Sequence, residues 1–391
     1  MPTFNPLVEK LVPPPIPAVV AWAKDYRGQH GPLIDLSQAV PGYAPHPRML
    51  SLLSGYAGSA AYAGYGPIEG ETVLRRVYAA HVSETYGAGL GEENIHITAG
   101  CNQAFVCAAM AVAGPGDAVL MTDPYYFNQE TTLAMLGIRT RFVACRPESG
   151  FLPDVAAIAD AIAPDVRALA IVTPNNPTGA VYPPELIGEI FDLCRTRGIW
   201  LILDETYRDF LPEGSGSRHG LFARNGWQET LIGLYSFSKS FCIPGHRLGA
   251  ITAGRETVAQ VAKIMDNLQI CAPRAPQAAV AEALPELAAW RQDNRMEISR
   301  RAEALRTTMA AAVAGGWEIG AVGAYFAFIR HPFAGRGSSE VAEALVRQAG
   351  VLCLPGVYFG QGQEAYLRFA FANADCQTIG RLSERLPKLE F

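Results

Sequence analysis

Between residues 94 and 253 one pattern repeats: a short apolar run, a polar turn, then a stretch with helical spacing. Seven runs read as strands, at 95–98, 118–122, 139–144, 168–173, 200–203, 231–236 and 248–253. Several stay apolar without alternating with polar residues, as strands covered on both faces do. Short strands alternating with helices build a mostly parallel sheet flanked by helices, an α/β fold. Ligands of such sheets collect outside the carboxyl ends of the strands, so chemistry in this chain should sit at those ends.

The run at 231–236 ends in Ser236-Phe237-Ser238-Lys239, and Arg247 follows in the next turn. A lysine at the mouth of a buried strand, beside a fixed cation, gives up its proton more readily, and a neutral amine can attack a carbonyl. A pair of hydroxyls with a guanidinium suits a phosphate. Pyridoxal 5′-phosphate, an aldehyde carrying a phosphate, needs both features. The motif alone reads equally as a surface lysine in a serine-rich loop, so the other strand ends must decide.

Gly100-Cys101-Asn102-Gln103 follows the run at 95–98 and opens a helix read at 104–113; a helix start offers free N–H groups and partial positive charge to an anion. Asp123-Pro124-Tyr125-Tyr126 presents an aromatic plane, for a heterocycle or as a cap on the sheet edge. In Thr173-Pro174-Asn175-Asn176-Pro177-Thr178-Gly179, two prolines and a glycine fix a turn that aims an asparagine amide inward. Asp204 closes a buried apolar run, where an unpaired carboxylate costs several kcal/mol, of order 1–5. A protonated ring nitrogen is one partner for it; a helix N-cap is the plainer alternative. Glu205 reads as structural. Arg368 lies within an alternating apolar run, placed either to clamp a carboxylate or to pair with a local acid.

Taken in chain order, these motifs resemble those of the class I/II aminotransferases, pyridoxal-phosphate enzymes of fold type I that include aspartate aminotransferase. The resemblance covers nearly the whole chain. It implies a large cofactor-binding domain at 45–280 with a seven-stranded mostly parallel sheet, and a smaller α+β domain from 1–44 and 281–391. It implies that Lys239 holds pyridoxal 5′-phosphate and acts as general acid and base. By the same resemblance Asp204 pairs with the ring nitrogen, Asn176 and Tyr207 meet the ring oxygen, and Tyr126 stacks on the ring. Gly100, Cys101, Asn102, Ser236 and Arg247 fall to the phosphate, with Tyr65 reaching it from the other subunit of a homodimer. Arg368 falls to the substrate α-carboxylate, with Asn176 and Ala39 beside it. Ser37 and Ala39 stand where relatives often carry glycine, which leaves the side-chain pocket open. The implied reaction moves an amino group from an L-amino acid to a 2-oxo acid in ping-pong order. β-Elimination on the same site is the rival enzyme reading, and a non-catalytic cofactor-binding sensor is the rival from another class.

A net charge of −5 with pI near 5.9 supplies no basic field, which argues against nucleic acid or an anionic membrane as partner. The eight cysteines are scattered without metal-ligand spacing and read as reduced thiols, with no metal site. With no signal pattern and no long apolar run, the reading is a cytoplasmic protein. The proline-rich residues 1–17 are expected to be extended, leading to a helix at 19–26 with Pro17 in its first turn. Arg274, in the loop at 266–277, reads as a solvated charge or an interface ion pair, with a phosphate or substrate contact as the alternative. A helical region to about 313 should kink near Pro285, and short strands are read at 325–329, 351–354 and 366–371.

Overall fold

The computed structural model describes residues 2–212 and 218–391. Its strands are β1 (Ile34–Asp35), β2 (Ile95–Thr98), β3 (Ala118–Asp123), β4 (Arg139–Ala144), β5 (Val166–Val172), β6 (Trp200–Asp204), β7 (Leu231–Ser236), β8 (Gly249–Thr252), β9 (Glu318–Gly323), β10 (Phe326–Arg330), β11 (Val351–Leu352), β12 (Leu354–Pro355) and β13 (Tyr366–Phe369). Strands β2 to β8 form one sheet in the order β2-β8-β7-β6-β5-β3-β4. All pairs from β4 to β7 are parallel, and β8 runs antiparallel to both β7 and β2. The carboxyl ends of β2, β3, β5, β6 and β7 therefore share one edge. Register aligns them: Asp204 sits beside Val172 on one side and Leu234 on the other, and Gly249 is opposite both Ser236 and Thr98.

The unalternating apolar runs follow from helices on both faces. Successive residues of β6 face opposite ways, so Leu201 and Leu203 pack into one core and Ile202 into the other. β4, at the sheet edge, is largely exposed. The second sheet, β12-β13-β10-β9, is antiparallel and shares its core with Ile34 and Leu36 of the N-terminal segment. β1 pairs in parallel with β11, which ties the chain's beginning to its C-terminal part.

Within the expected extended stretch, residues 2–17 are not uniformly extended. A helical turn spans Pro6–Glu9, capped by Asn5, whose side chain accepts from Leu7 N at 3.0 Å. A second helix runs Pro15–Trp22 and passes into a 3₁₀ turn at Ala23–Asp25. Proline is compatible with the first turn of a helix, where its missing N–H has no partner to lose, so a proline-rich stretch need not be extended. Helix 274–286 contains Pro285 and breaks at Leu287 before helix 288–312. Strand β9 escapes a reading from sequence because Gly320 and Gly323 weaken the apolar run. Among the described residues no helix is long and apolar enough to cross a membrane, and no cluster of metal-ligating side chains is present.

Candidate active site

The aligned strand ends open into a cavity of about 250 Å³, lined also by Gln38, Ala39 and Val40. β7 ends at Ser236, whose hydroxyl accepts from Ser238 N at 3.3 Å and caps the single turn Phe237–Ser240. That turn delivers Lys239 into the cavity, where Nζ donates to Ala39 O at 2.6 Å. Burial, with Arg247 and Arg368 nearby, brings the lysine down to about 8. Near neutral pH an appreciable fraction is then the neutral, nucleophilic amine.

Asp204 reaches the cavity from the end of β6 and is buried. Its Oδ2 accepts from Gln129 Nε2 at 2.8 Å and its Oδ1 from Thr206 N at 3.0 Å. Burial raises its pKa; the Thr206 and Cys101 hydrogen bonds work the other way. Tyr126 and Phe127 enter from the turn after β3, and the Tyr126 hydroxyl accepts from Asn128 Nδ2 at 2.7 Å. Tyr207 lines the same space, its ring against Phe326 and Tyr325 at 5.0 and 5.3 Å.

Arg368 comes from β13 in the other sheet and is 2% exposed. Its guanidinium donates to Asn176 Oδ1 at 3.1 Å and to Ser37 O, between the rings of Phe326 and Phe359, each 5.0 Å away. Its Nε has no partner, and among the described residues no carboxylate pairs with it. Burial lowers its pKa to about 10. A buried cation without a counter-ion is costly, and an anionic ligand relieves that cost.

Across the cavity lie Cys101 and Asn102, the first residues of helix Cys101–Val112, which begins three positions earlier than expected. Gly100 precedes them at φ +89°, and a side chain there would run into the Arg247 guanidinium. Arg247 donates to Pro244 O at 2.9 Å and has no acidic partner among the described residues. The Ser238 hydroxyl lines this side, buried and without a hydrogen bond. The charged residues lining the cavity are thus three cations and one carboxylate, a surplus that fits a ligand with two anionic ends.

Tyr65 is not brought in: it is 81% exposed on the surface of the single chain. Arg274 is neither a free solvated charge nor a cavity residue. It pairs with Glu71 of its own chain at 2.5 Å and donates to the carbonyls of Ala61 and Gly64. Glu205 faces away from the cavity and meets Tyr86 and His219. Gln129 is a site residue that sequence reasoning misses, whereas Ser238 is one of the two hydroxyls expected beside Lys239. The available signal for Gln129 is its place in the first turn of helix Phe127–Met135, just after Tyr126.

The sequence profile of the aminotransferase class I and II family matches residues 32–386. An aromatic aminotransferase of Arabidopsis thaliana is 28% identical over 91% of this chain and 89% of its own. An aspartate/prephenate aminotransferase of Thermus thermophilus is 26% identical over 98% and 97%. A solved structure of the Thermus thermophilus aspartate aminotransferase, a single mutant, superposes over 100% of both chains with a TM-score of 0.90 at 26% identity. The chain belongs to the class I and II aminotransferases: it is a transaminase on the fold-type I framework of aspartate aminotransferase.

Proposed function

We propose that this cavity holds pyridoxal 5′-phosphate on Lys239 and passes an amino group from an L-amino acid to a 2-oxo acid in two ping-pong halves. The observation that carries the reading is the meeting, in one cavity, of a buried amine near pKa 8 and a buried guanidinium with no counter-ion among the described residues. The cofactor's polar groups fit what the residues lack. Its phosphate suits the Ser238 hydroxyl, Ser236, the Arg247 guanidinium and the helix start at Gly100, Cys101 and Asn102, which Gly100 leaves unobstructed. Its ring nitrogen suits Asp204, and its ring face suits Tyr126.

When bound, the cofactor supplies an electron sink for the Cα carbanion. The chain's own residues do the rest. Arg368, steadied by Asn176, fixes the substrate carboxylate and with it the direction of the Cα–H bond. Asp204, held by Gln129 and Thr206, would keep a proton on the ring nitrogen by charge. Tyr207 and Asn176, which line the same cavity, would hold the ring oxygen. With the cofactor bound, Lys239 Nζ would be the acid–base group that holds and moves the proton at the substrate Cα. Phe326 and Phe359, on either side of Arg368, shield its guanidinium from water, which would strengthen its hold on a carboxylate.

The enzyme is further proposed to be a cytoplasmic homodimer, residues 45–280 forming the large domain and 1–44 with 281–391 the small one. Tyr65, uncovered in the single chain, then meets the partner's phosphate site. The aminotransferase relatives favour amino transfer over β-elimination. Lys239→Ala should abolish both the visible absorbance of bound cofactor and turnover; a variant that keeps both would refute the assignment.

A further inference from the structure

The charged side chains lining the cavity are Lys239, Arg247, Arg368 and Asp204. Under the function just proposed each already has a partner. Lys239 meets the cofactor's aldehyde, Arg247 its phosphate, Asp204 its ring nitrogen, and Arg368 the substrate's carboxylate. Among the described residues of this chain that line the cavity, no cation is left for a second carboxylate and no acid for a basic side chain. Arg274, the first residue of helix 274–286, is occupied by Glu71 and two backbone carbonyls. The remaining surface at the mouth is uncharged and mainly apolar. Ile16 comes from the helix Pro15–Trp22, Val40 from the loop after β1 and Phe127 from the helix after β3. All three are part-exposed, and the one polar side chain among them is the neutral Gln38.

We infer that the preferred amino donor carries an uncharged, apolar side chain, aliphatic or aromatic, seated against Ile16, Val40 and Phe127. The inference rests on the proposed function and narrows it to a substrate class. Each methylene buried against that wall favours binding by about fourfold. A second carboxylate placed there has no counter-charge and loses its water.

The test is a half-reaction screen of the purified holoenzyme, following loss of the cofactor's visible absorbance with leucine, phenylalanine, aspartate, glutamate, lysine and arginine. Leucine and phenylalanine should react with kcat/KM about 100-fold above the charged amino acids. Ile16→Arg and Val40→Arg, checked for retained cofactor absorbance, should raise the aspartate-to-phenylalanine ratio by roughly tenfold or more in at least one case. Aspartate, glutamate, lysine or arginine reacting as fast as leucine overturns the side-chain inference and leaves amino transfer standing. Absence of spectral change with every amino acid instead removes the proposed function itself.

Discussion

Replacing Arg368 by methionine separates a ligand-binding arginine from a structural one. Burial has lowered its pKa to about 10. The folded state binds that proton less tightly than the unfolded chain, so the charge opposes folding at every pH below about 10, and stability recovers only above it. At about 1.4 kcal/mol per pKa unit the opposition is about 3 kcal/mol at pH 7. Methionine removes it but leaves Asn176 Oδ1 and Ser37 O without their donor, at about 1 kcal/mol each. Stability measured by urea unfolding should therefore stay within about 1 kcal/mol of the parent. Activity should not. Two charge-assisted hydrogen bonds to a carboxylate are worth about 3–6 kcal/mol together, so kcat/KM for the amino donor should fall by about 10²–10⁴. A loss of more than about 3 kcal/mol of stability with less than a tenfold change in kcat/KM would refute this reasoning and make Arg368 a scaffold residue.

Other outcomes follow from single contacts. Gly100→Ala puts a Cβ at positive φ against the Arg247 guanidinium, so cofactor affinity should weaken by roughly tenfold in a titration of cofactor-free enzyme. Gln129→Leu takes a donor from charged Asp204, raising that carboxyl's pKa further; kcat should drop about tenfold and its acid limb should move to higher pH. Because Lys239 is depressed to about 8, cofactor uptake should quicken as pH rises and level off above about 8. The unfolded chain binds more protons than the native one between about 8 and the ordinary lysine value of 10.5, so stability of the cofactor-free protein should rise across that window. Stopped-flow uptake and unfolding curves for Lys239→Met should show neither rise.

Much of the architecture is legible because burial on two faces leaves unalternating apolar runs, and each run ends in a polar motif. Asp204, Lys239, Asn176 and Arg368 all reach one cavity, although Arg368 comes from a different sheet and lies 192 positions beyond Asn176. What stays hidden depends on tertiary placement. The Gln129–Asp204 bond joins residues 75 apart, and nothing local in either segment specifies it. Ser238 stands within the lysine motif, but its lack of a partner is a property of the folded cavity alone. The mouth formed by Ile16 and Val40 depends on a proline-rich stretch folding as helix where extended chain is expected. Arg274 departs from a solvated loop charge for a similar reason: its partner Glu71 lies 203 positions away.

The central claim is a covalent link between one amine and a B6 aldehyde. Borohydride reduction of the holoenzyme, followed by peptide mapping, measures it directly. A phosphopyridoxyl group should appear on Lys239 and on no other lysine, and should be lost in Lys239→Ala. A label on another residue, or none in enzyme that turns over, would contradict it.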